Sequence, residues 1–168
     1  LYFNAKTLTD GIAFLKKQID DYAPVIEPDL CVGINNVGGV LAGYFSRNLG
    51  KGGIPLGFVR TEGQRQFNPV TDILLPKCKE AKTILVADIE VKRGLTLASI
   101  SDILRKKYGA DTRIVIAVLV ASEVRGPIKK IEHLTNDFKG VFKADPEYYP
   151  DFLAFTSSNK VRLYGNIR

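Results

Sequence analysis

A parallel β-sheet covered by helices is the fold class that this sequence predicts, and three observations carry the prediction. Strand-like apolar runs alternate with helix-like periods from Leu30 to Val120, which is the order of a helix-covered parallel sheet. Two of those runs, Ile84–Ala87 and Arg113–Val120, are apolar without alternation, as strands buried on both faces are. No internal repeat or linker interrupts the 168 residues, a length that suits one domain with a sizeable core.

The elements follow in order. Leu8, Ile12, Leu15 and Ile19 recur at near-helical spacing, so Leu8–Tyr22 is predicted helical, capped by Thr7 or Thr9. Pro24 and Pro28 punctuate, and Leu30–Ile34 is a short apolar strand. Asn35–Gly39 reads as a turn and Val40–Leu49 as a helix, ended by the glycines between Gly50 and Gly53. Ile54–Val59 is the next strand. Thr61–Pro69 is polar and without apolar period, which predicts a long mobile loop, and Asp72–Leu75 a strand returning from it. Thr83–Val86 is a buried strand, Leu97–Tyr108 a helix with Gly109 as C-cap, and Arg113–Val120 a second buried strand. The tail from Ser122 to Arg168 is less regular, with strands at Phe152–Phe155 and Val161–Tyr164.

The chain carries Lys+Arg 24 against Asp+Glu 18, a net charge of +6 and a pI near 9.3. An anionic partner suits that balance. The cations are scattered, and no Arg-rich run or aromatic-interleaved basic patch occurs, so a small polyanion is favoured over nucleic acid. Cys31 and Cys78 are the only cysteines and His133 the only histidine. They form neither a disulfide framework nor a zinc site, and a reducing, cytoplasmic setting is expected. Cys31 reads as a buried core thiol and His133 as a surface side chain. No apolar stretch is long enough for a membrane helix, and no signal peptide is expected.

The most informative segment is Thr83–Ser99, TILVADIEVKRGLTLAS. A buried strand ends on Asp88 and Glu90, a basic glycine-bearing turn follows (Lys92, Arg93, Gly94), and Leu95 and Thr96 open a helix. Ligands of open α/β sheets sit at that edge. Loop amides and the positive end of a helix favour phosphate there, and carboxylates accept hydrogen bonds from sugar hydroxyls. A sugar-phosphate site is therefore predicted. The plain alternative, strand-end carboxylates paired with Lys92 or Arg93, would be preferred if the segment stood alone. Gly33–Val40 has the glycine spacing of a nucleotide P-loop, but Gly39-Val40 replaces its Lys-Ser/Thr, which excludes that type of ATPase. No G-x-G-x-x-G occurs. A response-regulator-like domain would need an acidic cluster near the first strand, and Leu30–Ile34 carries none.

Four segments together resemble the type I phosphoribosyltransferases, most closely the purine-salvage (hypoxanthine-guanine and xanthine) branch. Ile84–Thr96 resembles that family's acidic fingerprint, and Gly33–Val40 its pyrophosphate loop. Thr61–Pro69 stands where the family keeps a flexible catalytic loop, and Pro150–Phe155 is similar to the Pro-Asp-aromatic stretch of its base-binding hood. The resemblance implies a phosphoribosyltransferase-like core over about residues 25–121, with a hood built from the N-terminal segment and residues 122–168. It also implies transfer of a phosphoribosyl group from phosphoribosyl pyrophosphate to a nitrogenous base, with Mg2+ as cofactor and a homodimer as the assembly. Carried over by position, Asp88 and Glu90 hold ribose hydroxyls and Mg2+ as the catalytic acids. Lys92, Arg93, Gly94, Leu95 and Thr96 clasp the 5′-phosphate, and Asn36, Val37, Gly38 and Gly39 bind pyrophosphate. Phe152, Val161 and Tyr164 stand in the base pocket, with Phe155 as a substitute stacking ring.

The chain departs from the family at four places. Ala87 replaces the first acid of the usual adjacent pair. The phosphate loop is one residue longer and carries Lys92 and Arg93. Ala121 and Ser122 stand where a lysine contacts the base, and Val161 stands where an aromatic stacks on it. These departures keep a second function in play, a non-catalytic module that senses a nucleotide or phosphoribosyl pyrophosphate.

Overall fold

A computed structural model describes residues 2–22, 26–49, 53–61, 70–74, 81–122, 150–157 and 162–163. The elements in chain order are β1 (Tyr2–Phe3), α1 (Ala5–Asp20), β2 (Leu30–Ile34), α2 (Asn35–Asn48), β3 (Leu56–Thr61) and β4 (Val70–Leu74). After them come β5 (Thr83–Val91), α3 (Leu95–Tyr108), β6 (Arg113–Ser122), β7 (Phe152–Ser157) and β8 (Arg162–Leu163).

Six strands form the main sheet in the order β4-β3-β2-β5-β6-β7. Five of them, β3 to β7 across that order, run parallel, and β4 joins the edge antiparallel to β3. The predicted α/β class with a helix-covered parallel sheet is the observed one. β1 and β8 pair parallel in a separate two-stranded sheet, so the start of the chain meets its tail.

Alternation divides the strand residues between two layers. Ile84, Val86, Ile116 and Val118 pack with Leu97, Ile100 and Leu104 of α3. Leu85, Ala87, Val115 and Ala117 pack on the other face with Leu15 and Ile19 of α1 and Leu41 and Phe45 of α2. Cover on both faces explains why Arg113–Val120 reads as one apolar run. Cys31 lies in the second layer, where burial pushes its thiol up to about 12; it is an inert core residue.

Several boundaries differ from the sequence reading, each for a local reason. α1 starts at Ala5 because Asn4, not Thr7 or Thr9, is the N-cap and accepts from the Thr7 amide. Asn35–Gly39 is not a turn but the first turns of α2, so β2 passes into helix with no loop between them. The hidden cause is close packing: a methyl on Gly33 would fall inside van der Waals distance of the Gly39 Cα and lie 2.6 Å from its nitrogen. β5 continues past Val86 to Val91, which keeps Asp88 and Glu90 in the strand. β7 is an edge strand of the main sheet, held by Asp151. The Asp151 carboxylate accepts from the Ile116 amide and its own amide donates to the Ile116 carbonyl, both at 2.8 Å. Pro150–Phe155 therefore belongs to the core sheet rather than to a hood. Asp29 makes the same kind of clasp at the start of β2, accepting from the amides of Lys82 and Thr83 at 2.8 and 2.9 Å. Among the described residues no helix is long and apolar enough to cross a membrane.

Candidate functional site

The strand order fixes where a ligand can sit. From β2 the chain crosses to β3 on one side, and from β5 it crosses to β6 on the other. β2 and β5 are neighbours, so the topological switch point lies between them, where open α/β sheets bind ligands. α2 and α3 leave from these two strands onto opposite faces. Their N-termini consequently flank one crevice at the carboxyl edge, and the predicted pyrophosphate and phosphate segments both line it.

Gly38 brings the two segments together. A methyl there would lie 2.5 Å from the Ala87 carbonyl oxygen and 3.3 Å from the Asp88 Cα. Only glycine lets the first turns of α2 rest on the β5 backbone this closely. Gly39 similarly faces the Phe58 ring, whose edge a methyl on Gly39 would approach to 3.0 Å. The sequence reading assigns these glycines to phosphate contact; the space they save is used in helix–sheet packing. By the α-helical register their amides close on the carbonyls of Ile34 and Asn35. The amides of Asn36 and Val37 precede that ladder and have no acceptor within the helix. The N-cap, Ile34, makes no side-chain cap bond.

Asp88 is the site's main electrostatic feature, and it is only 8% exposed. Burial raises its pKa to about 7, and the Glu90 charge pushes in the same direction, against the lowering effect of hydrogen bonds from the Ile89 and Glu90 amides. Oδ1 accepts from the Ile89 amide at 2.7 Å. Glu90, half-buried two residues on, shares the same strand end. Among the described residues no group of three or more His, Cys, Asp or Glu side chains forms a metal cage. Two strand-end carboxylates, one of them buried, are a donor set that would suit Mg2+. That ion keeps several waters and takes one or two protein carboxylates together with substrate phosphates.

Ala87, where the resembled family has an acid, is fully buried in the α1/α2 layer beside the residues that seat Leu41 and Phe45. A carboxylate would enter that apolar layer, so packing has taken the position. In the phosphate segment, Gly94 is the N-cap of α3 with φ 69°, a left-handed conformation. The α3 ladder opens with the Ala98 amide on the Gly94 carbonyl at 2.9 Å, leaving earlier amides such as that of Leu95 outside it. Gly94 is buried, Lys92, Leu95 and Thr96 are half-buried, and Arg93 is exposed.

The base-pocket assignment of Phe152 is corrected. Phe152 is 1% exposed, sits in the α1/α2 layer and meets the Tyr22 ring edge-on at a centroid distance of 5.5 Å. It is a core residue with no face open to a base. Phe155, the substitute ring, packs against α1 beside Gly11. Val161 and Tyr164 lie outside the described residues, as do residues 62–69, Cys78 and His133.

Sequence reasoning missed Asn35. Its φ is 55°, the only positive value at a non-glycine among the described residues. Its carboxamide bridges to the end of β3: Nδ2 donates to Thr61 Oγ1 and Oδ1 accepts from the Thr61 amide, each at 2.9 Å. The sequence signal was present, since Asn is the side-chain-bearing residue that best tolerates left-handed backbone. It was hidden by the reading of 35–39 as an ordinary turn.

No family model matches the sequence, and no curated protein does either. Solved structures do match. A purine phosphoribosyltransferase from Pyrococcus horikoshii superimposes with a TM-score of 0.69 at 17% identity, over 100% of this chain and 97% of its own. A xanthine-guanine-hypoxanthine phosphoribosyltransferase from Helicobacter pylori gives 0.65 at 18% identity, over 99% and 93%. A hypoxanthine-guanine phosphoribosyltransferase from Bacillus anthracis gives 0.58 at 14% identity, over 91% and 79%. With the switch-point crevice and the two helix N-termini in place, the chain has the α/β fold of the type I phosphoribosyltransferases, in the form found in the purine enzymes.

Proposed function

We propose that the protein binds phosphoribosyl pyrophosphate with Mg2+ and transfers its phosphoribosyl group to a purine-like or other nitrogenous base. The observation that carries the reading is the meeting of three features at one switch point: the α2 amides, the carboxylates of β5 and the glycine-capped start of α3. In the reaction the C1–O bond to pyrophosphate breaks, a base nitrogen forms the new bond to C1, and the nitrogen's proton leaves to solvent or to a carboxylate. The cation-like ribosyl centre in between resembles that of glycoside cleavage.

Each residue has a place in that scheme. The amides of Asn36 and Val37 bind the pyrophosphate oxygens, favoured by the positive end of α2. Asp88 and Glu90 hold the ribose hydroxyls and would hold Mg2+, whose charge offsets that of the departing pyrophosphate. The segment Lys92–Thr96 receives the 5′-phosphate, with Gly94 turning the chain into α3. Holding both ends of the donor fixes C1 between them, which is the larger part of what such an enzyme must do.

A second reading is favoured by Ala87. With one acid replaced by packing, the same fold would bind a nucleotide or phosphoribosyl pyrophosphate without turnover, as a sensor. Calorimetric titration of the full chain with phosphoribosyl pyrophosphate and Mg2+ tests both readings, and absence of binding would remove both. Where binding is found, pyrophosphate release across a panel of bases separates the enzyme from the sensor.

A further inference from the structure

We propose that Asn35 is a positioning residue for the pyrophosphate end of this site, acting through its two hydrogen bonds to Thr61. The inference rests on the function proposed above and adds a residue that the scheme did not contain. β2 ends at Ile34 and α2 begins at Asn35. With no loop between them, the backbone angles at Asn35 set the direction in which α2 leaves the sheet, and with it the aim of the Asn36 and Val37 amides.

Those angles are ones that side-chain-bearing residues seldom adopt, so something must hold them. An asparagine at a helix start ordinarily turns its carboxamide back to cap its own helix. Here the carboxamide is turned across to the neighbouring strand, where its donor and its acceptor each meet a complementary group of Thr61 at 2.9 Å. Thr61 is the last residue of β3. The bonds join the ends of β2 and β3 and hold the first turn of α2 at a fixed angle to the sheet. A phosphate group recognised by two adjacent amides is sensitive to that angle, because hydrogen bonds weaken steeply with misalignment.

The test is calorimetry on the full chain with two separate probes, Mg2+-pyrophosphate and ribose 5-phosphate. Asn35→Gly keeps the left-handed backbone at no steric cost and removes both bonds. Thr61→Val keeps the shape and removes only the hydroxyl acceptor. Asn35→Gly is expected to weaken pyrophosphate binding roughly tenfold, and Thr61→Val by about threefold, while ribose 5-phosphate affinity stays at the wild-type value in both. Pyrophosphate affinity unchanged in Asn35→Gly overturns the proposal. So does an equal loss for both probes, which would mark a general structural role. Wild-type protein that binds ribose 5-phosphate but not pyrophosphate also overturns it while leaving a phosphate site. Binding of neither probe removes the proposed function and the positioning role together.

Discussion

Asp88 and Gly94 stand six positions apart in the most legible segment of the chain, and each answers to a different physical test. Asp88 has a folded-state pKa of about 7 against 3.8 for the ordinary group. The folded protein therefore binds this proton more tightly than the unfolded chain, and stability falls as pH rises from about 4 to 7. Asp88→Asn escapes that loss. In thermal melts without ligand, the variant should match wild type near pH 4 and exceed it by roughly 5 °C at pH 8. A constant difference across the range would show that the carboxyl is not neutral when buried. The same substitution should weaken phosphoribosyl pyrophosphate binding, so stability and affinity move in opposite directions. Gly94 tests the phosphate segment. Gly94→Val forces a β-branched residue to φ 69°, costs about 1–2 kcal/mol and should abolish ribose 5-phosphate binding. Gly94→Asn tolerates the backbone and should retain most of the stability. Equal Tm values for Val and Asn would remove the conformational argument.

At the scale of elements, α2 and β7 show what the sequence disclosed and what it concealed. The order strand–helix–strand was legible because apolar runs and helical periods are local signals, and β6 was placed almost to its ends, whereas β5 was placed correctly only at its start. The loop-free β2–α2 junction was not legible. Its cause is contact between Gly33, Gly38 and Gly39 and partners on other elements, and a glycine cluster in sequence looks the same whether it serves a turn, a phosphate or close packing. Phe152 was misassigned for a related reason: an aromatic after Pro-Asp gives no sign of which face of a strand will be covered. Two predictions belong here. Gly38→Ala places a methyl 2.5 Å from the Ala87 carbonyl oxygen. It should destabilise by about 1–3 kcal/mol in chemical denaturation and reduce pyrophosphate affinity, because α2 must lift from β5. Asp151→Ala leaves the Ile116 amide without its acceptor and should cost about 1–3 kcal/mol. Its ligand affinities should stay at the wild-type values, and a matching loss of affinity would show that β7 reaches the site.

Across the whole molecule, the pairing of β1 with β8 has a consequence for synthesis. The two strands lie about 160 residues apart in the sequence, whereas β2, α2, β3, β5, α3 and β6 have near neighbours in the chain. The central sheet and its switch-point crevice can form co-translationally, domain cores being able to fold before synthesis ends. The β1–β8 pair can form only after β8 has been made, since closing so long a loop is the slow, non-local step. A nascent chain arrested after Ser122 would already carry both helix N-termini of the proposed anion site, while β7 and the β1–β8 pairing would lock later.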